Sequence, residues 1–232
     1  MVNEQNVEDY LAVPIPEEFH KKNYLILNSH THGSYSYPDL LVAKTLSHYG
    51  KDWHQSHEDL HQEGMFMPTL RQFVDFLNLL KSGKAFDGKG NKVSSNELET
   101  ILKEITEPRD TLRVEWLDAN FVNVDQVLHI NYAHQIVNRE LQPQRSELLW
   151  GCLLVENRLS HISLNDYLER ATFQGLPPAD VKSGSLNYCS PCSYRVATFE
   201  ANNCRVGNIL GCNSGSSTRN SSFGVRRVHT KD

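Results

Sequence analysis

Hydrophobic spacing divides this chain into a helical stretch and a strand-rich one. Leu70, Phe73, Val74, Leu77 and Leu80 recur at three- and four-residue intervals, which places one apolar stripe on a helix over residues 68–80. Pro68 suits its first turn and Gly83 its stop. A second helix is predicted from Ser94, where Glu97 three residues on completes a capping box, through Leu98, Ile101, Leu102 and Ile105 to the break at Pro108. Between them, Phe86–Val93 reads as a hairpin-type turn. Upstream, Tyr24–Leu27 is a short strand-like run, and residues 38–46 have helical spacing of their apolar positions. His54, His57 and His61 would share one helix face. Residues 1–22, polar and carrying Pro14 and Pro16, read as an extended lead-in.

After residue 110 the period changes. Arg113–Phe121 and Val127–Tyr132 alternate as a β-pair, with turn chemistry at Asn123-Val124-Asp125. Glu147–Leu154 is apolar enough for a buried helix and Leu164–Leu168 for a shorter one, before Gly175-Leu176-Pro177-Pro178 breaks regular structure. Two last strand-like segments, Tyr194–Phe199 and Phe223–Val228, bracket residues 201–222. That middle is mostly Asn, Ser and Gly, with Cys204, Cys212, Arg205 and Arg219, and holds no Asp, Glu, Lys, Pro or aromatic residue. Such a composition suits an exposed loop. The fold class that follows is α+β, with a mainly helical N-terminal region ahead of a strand-rich half. Three segments are expected: a His-rich region over 1–65, a helical segment over 66–110, and a final domain over 111–232.

Composition narrows the function classes. With 232 residues, a formal net charge of −5 and a pI near 6.1, the chain has no global attraction to nucleic acid or to anionic membranes. It lacks a long uncharged apolar run, so no membrane span is expected, and a basic start followed by an apolar centre is missing, so no signal peptide is expected. Five cysteines, four of them between Cys189 and Cys212, argue against a dispersed disulfide framework.

Two constellations could carry metal chemistry. His30 and His32 follow the strand-like Tyr24–Leu27 run in the placement by which barrel metallohydrolases hold a catalytic ion, and this reading competes with surface or hydrogen-bonded histidines. Cys189 and Cys192 together with Cys204 and Cys212 could staple a module around zinc, although the second pair is spaced too widely; a redox pair or incidental thiols are the alternatives. Glu115 and Asp118 flank Trp116 and are expected as solvent-facing partners of a half-buried strand. No phosphate-binding glycine loop, nucleophile elbow or paired-acid helix is found, so no catalytic residue is assigned and no cofactor is expected.

Phe66-Met67-Pro68-Thr69-Leu70-Arg71-Gln72-Phe73, Arg113-Val114-Glu115-Trp116-Leu117-Asp118-Ala119-Asn120-Phe121, Gly175-Leu176-Pro177, and above all Arg195-Val196-Ala197-Thr198-Phe199 with Phe223-Gly224-Val225-Arg226 carry a family resemblance. Over residues 66–232 the chain resembles the variable proteins of diversity-generating retroelements, of the archaeal, viral or small-genome bacterial type. The resemblance implies a C-type lectin fold in the C-terminal half, in which the N- and C-terminal strands pair and an irregular segment presents a binding surface. It implies a non-enzymatic, receptor-type protein with no cofactor or metal, recognising an unidentified macromolecular partner. It also implies adenine-directed copying that varies loop positions and spares the framework, consistent with a loop built from residues reachable from Asn codons. On that basis Asn202, Cys204, Gly207, Asn208, Gly211, Asn213, Ser214, Ser217 and Asn220 are the expected variable positions, and Tyr188, Cys189, Ser190 and Cys192 join the same surface. Cys204 and Cys212 then need be neither ligands nor disulfide partners. Tyr188 and Tyr194 are the candidate aromatic anchors. Residues 1–65 lie outside the resemblance.

Overall fold

The computed structural model describes residues 21–108, 111–155, 159–201 and 207–231. Most of the expected lead-in, and the expected variable positions Asn202 and Cys204, lie outside the described residues. After a single 3-10 turn over Lys21–Asn23 come β1 (Tyr24–Leu27), β2 (His30–His32), β3 (Tyr35–Tyr37), β4 (Leu40–Ser47) and helix α1 (Trp53–Gln62). Helices α2 (Leu70–Lys81) and α3 (Ser95–Thr106) follow, then β5 (Arg113–Val124), β6 (Val127–Val137), β7 (Glu140–Leu148), β8 (Leu159–Ile162) and α4 (Leu164–Arg170). The chain closes with β9 (Leu186–Cys189), β10 (Arg195–Ala201), β11 (Ile209–Ser214) and β12 (Phe223–Thr230).

The fold is mixed α+β, and one ten-stranded sheet gathers strands from the whole described chain in the order β1-β4-β12-β5-β10-β11-β9-β8. The long strand β5 is its pivot. Val114 to Trp116 pair in parallel with Phe223 to Val225 of β12, whereas Asn120 to Val124 pair instead with β6, which carries β7 outward. Both hairpin turns that follow place two successive residues in left-handed backbone, Asp125-Gln126 (φ 50° and 69°) and Asn138-Arg139 (φ 53° and 66°), the geometry that matches strand twist. The first lies one residue beyond the expected turn.

Alternation along the strands gives the sheet two faces. On one, Leu117, Phe121, Ala197, Phe199 and Val228 form the main core with Phe73 and Leu77 of α2; the Phe73 and Phe199 rings sit 5.3 Å apart. On the other, Val114, Trp116, Val196, Phe223 and Val225 pack against Trp53 and Leu60 of α1. Glu115 belongs to the first face and is buried, not solvent-facing: it accepts two bonds from Arg226 (Nη2 at 2.6 Å, Nε at 3.2 Å), which also donates to the Ala43 carbonyl and lies against the Phe76 ring.

Local signals place the helix starts. Asp52 caps α1 and Thr69 caps α2, each in a reciprocal box with Gln55 or Gln72, so Pro68 precedes the α2 cap instead of opening the helix. Ser94 caps α3, but the Glu97 carboxylate goes to Lys44 at 2.7 Å.

Four expectations are corrected. Most of residues 38–46 belong to strand β4 (Leu40–Ser47), held between β1 and β12; a strand with a single exposed residue has no clean alternation and can mimic helical spacing. The described part of 1–65 accordingly has more strand than α-helix, and helices dominate only over 53–106. Glu147–Leu154 is the end of β7 followed by irregular chain, because its backbone groups find partners in the next loop: the Gln174 side chain takes the Leu148 carbonyl (2.6 Å) and the Trp150 amide (3.2 Å), and Leu153 donates to Pro177. That loop turns at Gly175 (φ +85°), where a Cβ would stand 2.4 Å from the Arg71 amide, so only glycine fits under the start of α2. Finally, residues 201–222 are not one exposed loop. Strand β11 runs inside them, antiparallel to β10 and parallel to β9, with Leu210 and Cys212 buried in the core.

Candidate functional site

The cassette from Tyr194 to Val228 splits into framework and surface. Its surface has two parts. The turn between β11 and β12 exposes Ser217, Thr218, Arg219 and Asn220, yet it is pinned: Ser216 accepts the Trp53 amide (3.0 Å) and Arg219 bonds Asp52 at the head of α1 (Nη2 at 2.9 Å). Next to it Tyr194 is 81% exposed and, with Arg195, Ser216, His54 and Val122, lines a hollow of about 170 Å³. The second part is the half-buried α1-side face of β9, β11 and β10, where alternation places Cys189, Asn213 and Glu200 around the fully buried Thr198. There Thr198 and Ser214 hydroxyls are 2.9 Å apart and Thr198 donates to Glu200 (3.3 Å). Burial pushes the Glu200 carboxyl up, more than its Thr198 bond lowers it, and burial likewise raises the Cys189 thiol.

Not every expected surface residue reaches that surface. Tyr188 points to the core face of β9, is fully buried, and donates to the Leu153 carbonyl (3.1 Å). Ser190 is buried and its hydroxyl accepts the Val155 amide (3.2 Å). Gly211 is buried, and a Cβ there would stand 2.7 Å from the Thr198 hydroxyl. Gly207 and Asn208 are half-buried where β11 begins; Asn208 accepts the Asn187 amide and donates to the Thr106 carbonyl. Cys192 is half-buried.

Neither metal constellation read from the sequence is assembled among the described residues. His30 and His32 sit on the small β2–β3 hairpin with their rings stacked 4.2 Å apart. The His32 Nε2 is taken by Asp75 (2.8 Å), which also binds Tyr37 and Arg71, and burial followed by the nearby Arg71 charge lowers the His32 pKa. Cys212 lies on the core face, opposite Cys189.

A third group, missed in the sequence, does come together. His57 from α1, Asp118 from β5 and His134 from β6 are all buried, and their candidate donor atoms lie within 4.8 Å of one another. Asp118, expected at the solvent-facing side of a half-buried strand, is instead enclosed. Its Oδ1 is 2.5 Å from His134 Nδ1 and 3.7 Å from His57 Nε2, and its Oδ2 accepts the His134 amide at 2.9 Å. Left-handed backbone at Ala133 (φ 55°) immediately precedes His134. The Trp53 ring meets both imidazoles edge-on, 4.3 Å from His57 and 5.0 Å from His134, and is itself fixed by a bond from Nε1 to the Leu117 carbonyl.

The group forms one wall of a cavity of about 520 Å³, also lined by Tyr35, Thr69, Gln72, His61 and Arg145. Burial drives the His57 pKa down to about 4. For Asp118 burial acts upward but is outweighed by the charge and hydrogen bonds of His134, with a further contribution from His57, so its carboxyl stays below the usual range. A neutral imidazole beside a carboxylate is a donor set for a cation. The spacing of His54, His57 and His61 on one helix face was the only sequence signal for it, since Asp118 and His134 are 61 and 77 residues further on than His57.

No family model matches the chain, and comparison with curated proteins and with solved structures finds no match. The candidate sites therefore stand on their own geometry.

Proposed function

We propose that the chain is a non-enzymatic ligand-binding protein whose cassette over residues 194–228 carries a C-type lectin-like, variable surface that recognises a macromolecular partner. The observation that carries this reading is the division of labour within the cassette. Framework side chains Val196, Ala197, Phe199, Phe223 and Val225 are buried on β10 and β12, while the turn they bracket exposes Ser217 and Asn220 beside the exposed Tyr194. Substitution at exposed positions typically changes stability by no more than about 0.5 kcal/mol, so such a surface can vary without unfolding its scaffold. The pinning of the turn to Asp52 and Trp53 supports binding as well, because an ordered loop loses less entropy on association. Tyr194 and Arg195 beside the small hollow are residue types that anchor protein interfaces. Within residues 111–232, pairing of the first strand, β5, with the last, β12, fits a lectin-like closure of the domain by its N- and C-terminal strands.

Sequencing the DNA around the coding locus tests this. A near-repeat of the 3′ end, differing at adenines in the codons of Asn213, Ser217 and Asn220 and lying beside a reverse-transcriptase gene, is the expected result. Absence of both features removes the basis of the reading.

A further inference from the structure

We propose that His57, Asp118 and His134 bind one divalent transition-metal ion, with its remaining coordination positions open to the adjoining cavity. This site is separate from the cassette surface, and neither reading depends on the other.

The first ground is an unpaired donor. His57 is 4% exposed, its Nε2 has no hydrogen-bond partner, and it is aimed at Asp118 Oδ1 from 3.7 Å, beyond hydrogen-bond reach. Buried polar atoms are nearly always satisfied, so an orphaned imidazole nitrogen aimed at a carboxylate asks what belongs between them. The second ground is geometry. Bonds of about 2.0–2.2 Å to nitrogen and oxygen imply donor separations of about 3.3 Å around a tetrahedral ion. The observed separations to Asp118 Oδ1, 2.5 Å from His134 and 3.7 Å from His57, straddle that value. Binding needs only that the Asp118–His134 contact opens, its bridging proton moving to the far nitrogen of the His134 ring or to solvent, and that His57 closes in.

The surroundings are prepared for a ligand set. The second carboxylate oxygen of Asp118 is held by the His134 amide, and the Trp53 ring braces both imidazoles, an outer shell of the kind that orients metal ligands. Two imidazoles and one carboxylate suit zinc, cobalt, nickel or ferrous iron; calcium and magnesium call for more oxygen donors. Three protein ligands beside a cavity of about 520 Å³ leave room for water or a small anion, with Arg145 and Tyr35 among the lining residues.

Titration of the metal-stripped full chain with Co²⁺, read by its visible absorption, tests the assignment. One equivalent is expected to bind with the spectrum of a four- or five-coordinate ion, to be displaced by Zn²⁺, and to change colour on adding azide. His57→Ala is expected to weaken binding about 100-fold or more, at or above the upper end of the range for a lost outer-shell partner. The double variant His30→Ala/His32→Ala, altered only on the β2–β3 hairpin, is expected to bind as the parent does. X-ray absorption of the zinc-loaded parent needs no variant and is expected to give only nitrogen and oxygen neighbours. Lack of one-equivalent binding by the parent, undiminished binding by folded His57→Ala, loss of binding in the His30/His32 variant, or sulfur neighbours would each overturn the proposal.

Discussion

Residues of one type in this chain have opposite roles, and burial decides which. Tyr188 and Tyr194 are six positions apart, yet one is enclosed in the core with its hydroxyl satisfied and the other is 81% exposed. Tyr188→Ala is expected to cost about 3 kcal/mol or more, as for a buried aromatic, whereas Ser217→Tyr should change stability by less than about 0.5 kcal/mol; chemical denaturation of both variants checks this. Glu200 supplies a pH test. Its folded-state pKa lies above its unfolded one because burial disfavours the carboxylate. Its contribution is therefore fully present below the unfolded value, about 4.3, and is lost as pH rises through the raised folded value. Thermal melts from pH 4 to 8 are expected to show a smaller decline in Glu200→Gln than in the parent over that window; identical profiles would mean Glu200 is not desolvated.

Among the elements, β5 and β12 matter most, since they are joined by backbone bonds and by a buried ion pair. Arg226 is fully buried and Glu115 nearly so, with Arg113 as a second partner at 3.1 Å. Removing one member strands the other in the core. Glu115→Gln is expected to destabilise by about 3–5 kcal/mol, and Glu115→Leu combined with Arg226→Leu to recover a large part of it, because an apolar pair avoids the desolvation that the ions carry. A double-mutant cycle in urea measures both. Strand β11 shows how an element can hide in a polar segment: only Leu210 and Cys212 give it an apolar side, and β9 and β10 supply its hydrogen bonds.

At the scale of the molecule, the chain's early and late parts share one sheet. β12 lies between β4 and β5, and Trp53 and Leu60 complete the apolar layer on Trp116 and Phe223. A chain shortened to residues 66–232 leaves β12 as an open edge, removes the Ala43 carbonyl from Arg226 and uncovers that layer. Such a fragment is expected to lack a cooperative thermal transition by circular dichroism; a sharp melt would mean that the C-terminal segment folds independently.

The sequence by itself determined the local elements. Helices α2 and α3 follow from their apolar stripes and cap residues, the β5–β6 hairpin from alternation and its turn, and the framework strands β10 and β12 from short apolar runs around a polar segment. These depend on contacts within a few residues, which periodicity records. Tertiary structure alone decided that most of residues 38–46 are strand, since pairing with β1 and β12 fixes that and no local signal does. It alone turned Tyr188 and Ser190 inward while leaving Tyr194 and Ser217 outside. The His57–Asp118–His134 group was likewise beyond the reach of spacing. Its three members come from a helix and two strands that meet only when α1 closes over the sheet, and the short Asp118–His134 contact exists only once β6 turns at Ala133.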